Sequence, residues 1–174
     1  MPALPKVILI GLVLLAGAYD ARYRKIPNWL SLSGLILGLG INTLFAGWEG
    51  LGAATLGFGL AMSVYTPLYL VRGMGAGDVK LMAAIGAIVG PHEWFGIFIA
   101  TALVGGVVSL TAIIIKKRGH QTFLNLTFIL SELLQFRRPA KVDARLDVRN
   151  PNALRMPHAL NIVAGCLAFL YLSR

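Results

Sequence analysis

Of the seven acidic residues in this 174-residue chain, two stand where an acid is costly. Asp20 closes an apolar run in Tyr19-Asp20-Ala21-Arg22, and Asp78 opens another in Gly75-Ala76-Gly77-Asp78. An ionisable side chain at membrane depth is expensive and marks a functional site by default. The run 7–19 leads to Asp20 and the run 79–90 leads away from Asp78. As helices rising 1.5 Å per residue, each reaches about 18–20 Å from the opposite face. The hydrocarbon core is about 30 Å thick, so both carboxyls stop at similar depth on one side. Two carboxylates that meet in a low-dielectric site share a proton. One then takes a proton from water while the other donates to a scissile carbonyl or leaving amine, the chemistry of an aspartic protease. Two plainer roles compete. Asp78 suits an N-cap after a Gly-rich turn, and Asp20 suits an interfacial charge paired with Arg22 or Arg24. Matched depth on a shared side favours the catalytic pair over both.

No second chemistry is legible. His92, His120 and His158 are scattered, and Cys166 is the single cysteine, inside an apolar run. No disulfide, no zinc pair and no other metal site or cofactor is expected.

The elements that must position the aspartates follow from composition. Hydrophobic types make up 57% of the chain, charged residues only 13%, and mean hydropathy is +0.74. A soluble domain carries about a quarter charged residues. Disorder is excluded, and lipid is the expected solvent. Six apolar runs follow one another: Val7 to Tyr19, Trp29 to Ala46, Leu51 to Val71, Val79 to Gly90, Trp94 to Ile115 and His158 to Leu172. None alternates with the period of two that barrel strands require. The fold class is therefore all-α: one polytopic membrane domain over residues 1–174, with six transmembrane helices. Gly34 with Gly38, and Gly86 with Gly90, have the spacing of close helix packing. Ala16-Gly17-Ala18 resembles a signal-peptide cleavage site, but only Lys6 precedes the run, and a retained span is the better reading.

The net charge of +9 would suggest nucleic acid in a soluble protein. Here it sorts by side. Fourteen of the sixteen basic residues fall in the connections shared with the two aspartates, nine of them in the segment Lys116 to Pro157. Lys6 and Arg174 fall on the other side, with Glu49 and Glu93 in its turns. The positive-inside rule then places both termini outside and the segment 116–157 in the cytoplasm. No nucleic-acid partner is expected, and anionic membrane lipids are. Within that segment, Gln121 to Phe136 carries Phe123, Leu126, Leu130, Leu133 and Leu134 near helical spacing. It suits an amphipathic helix on the cytoplasmic surface and is short for a seventh span.

These residues resemble a known family, the prepilin peptidases, type IV leader peptidases among the GxGD aspartic proteases. Asp20 is followed by Ile26-Pro27-Asn28, similar to the family's D…IPN signature, and Gly75-Ala76-Gly77-Asp78-Val79-Lys80-Leu81 is similar to its GxGDVKL signature. Arg155-Met156-Pro157-His158-Ala159 resembles the family's Pro-aromatic-Ala approach to the last helix, with His158 in place of the aromatic. The likeness runs from Leu4 to Val89 and again from Pro157. It implies that Asp20 and Asp78 are catalytic and that the substrate is a prepilin cut after its basic leader, at the cytoplasmic face of the inner membrane. Larger members carry a four-cysteine cytoplasmic segment and N-methylate the product. This chain resembles instead the short, peptidase-only branch serving tight-adherence (Flp-type) pili, so pilus assembly machinery is a further implied partner.

Within that reading, Gly75 and Gly77 let a substrate strand approach Asp78. Pro27 fixes the start of the second helix and Asn28 caps it. Arg22 and Lys80 either tune the carboxylates or are ordinary inside-positive residues. Two other functions fit the aspartates: a small proton- or cation-coupled transporter, and a preflagellin-type GxGD protease. A transporter usually shows internal repeats, and none is visible. Ile26-Pro27-Asn28 favours the prepilin branch over the preflagellin one.

Overall fold

Glycine and proline punctuate the apolar runs, and the chain turns where they fall. The computed structural model describes residues 3–70, 74–115 and 158–173. Four helices account for nearly all of these: α1 (Ala3–Tyr23), α2 (Asn28–Leu70), α3 (Ala76–Ile115) and α4 (His158–Leu172). Among the described residues there is no strand. The first three helices are long and apolar enough to cross a membrane, and Ala159–Leu172 is apolar but shorter. The segment 116–157, with its expected amphipathic helix, lies outside the described residues.

α2 and α3 are each broken once. A straight helix of 43 residues would be about 65 Å long, twice the hydrocarbon core. Gly47 interrupts α2 at φ 57°, a left-handed conformation that glycine adopts without steric cost. Gly38, before the break, packs on the backbone of Ala87 and Ile88, and Gly57, after it, packs on the backbone of Gly86 and Gly90. Both sides of the break touch the same stretch of α3, so α2 doubles back at Gly47. α3 does the same at Gly90 (φ 78°), which Pro91 follows. Trp94 donates its indole N–H to the carbonyl of Met82 at 3.1 Å, and a straight helix would hold those residues about 18 Å apart. Six helical legs result, and they follow the six apolar runs.

The second turn leaves an unpaired backbone. The carbonyl of Ala87 would normally accept the N–H of residue 91, but Pro91 has none, and the break at Gly90 ends the ladder for Ile88. Asn42 supplies the missing donors. Its Nδ2 lies 2.9 Å from Ala87 O and 3.0 Å from Ile88 O, and also 2.9 Å from Gly38 O in its own helix. One amide thus satisfies the turn and ties α2 to α3.

The core gathers around the first leg of α3, whose residues from Leu81 to Ile88 are all buried. Trp94, fully buried, stacks on Phe98 with ring centroids 5.5 Å apart and meets the edge of Tyr65. α4 runs antiparallel to the second leg of α3, with Gly96 against Phe169 and Gly165 against Thr101. It also packs on α1, where Gly17 meets Val163 and Leu160. This brings the start of α4 beside the end of α1.

Candidate active site

Asp20 sits in the last turn of α1, inside the helix rather than at its end. Its backbone carbonyl accepts the N–H of Arg24 at 2.8 Å. Arg24 adopts φ 51°, closing α1 with a left-handed residue where glycine is usual. The Asp20 side chain turns inward and is 8% exposed. Its Oδ2 accepts the backbone N–H of Ala159 at 3.2 Å, in the first turn of α4. That N–H has no partner within its own helix. Among the described residues Asp20 has no ion pair, and its bond to α4 stands in place of the plainer alternative, a pairing with Arg22 or Arg24. Arg22 instead points outward, its Nε 3.4 Å from the hydroxyl of Tyr23.

Asp78 is also 8% exposed. α3 begins two residues ahead of it, and the carbonyl of Gly75 accepts the N–H of Val79 at 3.4 Å. Asp78 therefore lies within the first turn and is not the N-cap. An acid there still complements the helix dipole.

The two carboxylates line one cleft of about 270 Å³, together with Arg24, Lys25, Ile26, Gly75, Ala76 and Gly77. The glycines have a packing role. A Cβ on Gly77 would stand 3.1 Å from Cβ of Ile26, and one on Gly75 would stand 3.2 Å from Oδ2 of Asp78. Pro27 uses its carbonyl to accept the N–H of Leu30 at 3.2 Å, starting α2. Asn28 does not cap that helix. Its Oδ1 accepts from Nζ of Lys80 at 2.9 Å, joining the start of α2 to the start of α3.

Asp20, Asp78, Gly75, Gly77 and Ile26 therefore share the cleft, while Arg22, Asn28 and Lys80 stand outside it. Sequence reading missed Arg24 and Lys25 as cleft residues and the N–H of Ala159 as a partner of Asp20. For the two cations the usable signal was position, directly after a helix that ends three residues past Asp20. For Ala159 the signal was the Pro157-His158-Ala159 resemblance, which marks the entry to the last helix but says nothing of what its backbone N–H bonds. Among the described residues no three His, Cys, Asp or Glu side chains gather as metal ligands would.

The profile of the type IV leader peptidase family matches residues 7–110, which carry both aspartates and the cleft. The chain belongs to the type IV leader peptidase family. Among curated proteins it is similar to a prepilin leader peptidase/N-methyltransferase of Klebsiella pneumoniae, 35% identical over 96 residues. That alignment covers 52% of this chain and 42% of the relative, so the chain spans less than half the length of the curated relative it matches. No solved structure matches significantly. Membership in the leader peptidase family supports a peptidase, and the apolar helices support a membrane protein.

Proposed function

We propose that this chain is a membrane-embedded aspartic endopeptidase that removes the basic leader from a type IV prepilin of the Flp type. The observation that carries this reading is the cleft itself: two buried carboxylates, brought from the end of α1 and the start of α3, line one cavity. Water in the cleft attacks the scissile carbonyl carbon while one aspartate takes its proton. The other aspartate gives a proton to the leaving amine as the C–N bond breaks, and the pair returns to its starting protonation. Arg24 and Lys25 put positive charge on the cleft, where the carbonyl oxygen gains negative charge in the tetrahedral intermediate.

The six helical legs are six spans of the inner membrane, with both termini outside and the cleft at the cytoplasmic boundary. The basic leader enters the cleft from the cytoplasm while the apolar part of the prepilin stays in the bilayer. The product is a mature pilin handed to the assembly machinery. The single cysteine separates this chain from members that also methylate, so the reaction ends at hydrolysis. Incubating purified protein with a synthetic Flp-type prepilin and weighing the products by mass spectrometry tests the proposal. One new N-terminus after a leader glycine is expected. An intact precursor, under conditions where an established leader peptidase cuts it, would reject the reading.

A further inference from the structure

On the far side of α3 from the cleft lies a second concavity, a groove of about 330 Å³ between the two legs of α2 and the first leg of α3. Two residues along a helix stand about 200° apart, so Lys80 faces away from the side that carries Asp78. Neither aspartate lines this groove, and among the described residues no acidic side chain does. Its lining is graded from polar to apolar. At the mouth the Lys80 ammonium is steadied by Asn28 and remains exposed. One turn deeper, about 4.5 Å along α2, is Ser31. This residue is 4% exposed, and among the described residues its hydroxyl has no hydrogen-bond partner. Beyond it the walls are Leu35, Phe58 and Met62, over a floor that includes Ala84.

We infer that this groove is a binding site for one anionic glycerophospholipid. The phosphate lies on Lys80, an ester carbonyl accepts the Ser31 hydroxyl, and an acyl chain fills the apolar trough. Cation, hydroxyl and apolar walls follow one another in the order that phosphate, ester and chain follow in such a lipid. A buried serine hydroxyl that lacks an acceptor costs free energy until it finds one. A prepilin segment is the less suitable occupant, because the groove does not lead to the aspartates. The inference rests on the chain lying in a membrane and is independent of any cleavage reaction.

Native mass spectrometry of the purified full chain, titrated with phosphatidylglycerol or phosphatidylcholine, tests it. The wild type is expected to hold one phosphatidylglycerol in preference to phosphatidylcholine. A lysine near an anionic head group contributes a factor of about five in affinity, so Lys80→Gln should weaken phosphatidylglycerol about fivefold and erase the preference. Ala84→Phe fills the trough and should remove the tightly held lipid of either kind. Because a bulky residue there also strains the packing, the surface substitution Lys80→Gln carries the test alone. Equal phosphatidylglycerol affinity in wild type and Lys80→Gln would overturn the proposal. So would displacement of the lipid by the apolar segment of a prepilin, which would make the groove a substrate site. No cleavage is measured, so the peptidase reading stands or falls separately.

Discussion

Asp20 is held twice, by its backbone carbonyl to Arg24 and by its carboxylate to α4. Asp78 is set in the first turn of α3 with Gly75 against its carboxylate. Asparagine keeps the shape and the acceptor oxygen at either position but cannot exchange a proton as a carboxyl does. Asp20→Asn and Asp78→Asn should therefore each insert normally, melt near wild type and lose at least about a hundredfold in cleavage, the scale of general acid–base catalysis. Groups acting as one unit are not additive, so the double variant should be no slower than either single. Glu49→Gln, a change at an exposed acid far along the chain from either motif, should cleave normally. Cleavage near the wild-type rate by either single variant would reduce that aspartate to a structural role. At this scale the sequence was informative where residue type carried the chemistry. Asp20, Asp78 and Ile26 could be named before any fold was known. Asn28 and Lys80 could be named but not placed. They bond each other across 52 positions of sequence, and no local pattern shows which residue of another helix a lysine will meet.

The elements were legible for a different reason. Lipid forces backbone polar groups to pair within each segment, so apolar length alone marks helices, and Gly47, Gly90 and Pro91 mark their ends. What holds the legs together was less visible. Asn42 reads as one polar residue in an apolar run, and its need arises from Pro91, far along the chain. Asn42→Leu strands the carbonyls of Ala87 and Ile88 together. At about 1–3 kcal/mol per unsatisfied group, the cost should be roughly 2–6 kcal/mol in thermal or denaturant unfolding. Thr43→Val should be nearly neutral, because that hydroxyl only bonds its own helix at Leu39 O. A glycine pair makes the same distinction between contact and composition. A Cβ on Gly57 would collide with the carbonyl of Gly86, which is backbone and cannot swing aside, whereas nothing lies within 4 Å of one on Gly59. Gly57→Ala should lower stability by about 1–3 kcal/mol through forced separation of α2 and α3. Gly59→Ala should raise it by up to about 1 kcal/mol, because alanine loses less entropy in a helix. Equal melting temperatures for the two would show that the close approach is not held in solution.

For the whole molecule, the chemistry and the orientation have to agree. Hydrolysis by two carboxylates needs no metal, so a strong chelator should leave the rate of leader cleavage unchanged. Loss of activity that added zinc restores would mean a metal-activated water instead. Orientation is the wider test, because it decides what the cleft can reach. α1 and the first leg of α3 bring Asp20 and Asp78 to the same end of the helix assembly, where they share a cleft with Arg24 and Lys25. On the proposed topology the positive-inside rule orients that end toward the cytoplasm, with fourteen of sixteen basic residues assigned to its connections. The end of α3 and the start of α4, which flank the segment 116–157, lie at this end, as the antiparallel packing of Gly96 on Phe169 and Gly165 on Thr101 requires. A reporter fused near Ala144 should therefore be active only as a cytoplasmic enzyme, and one fused in the Gly47 turn only as an exported one. A third fusion at the C-terminus should match the Gly47 reporter, because on the proposed topology α4 is the sixth span. If the Ala144 fusion reports from outside, the cleft faces away from any cytoplasmic leader. The peptidase proposal would then fail, even with both aspartates correctly placed.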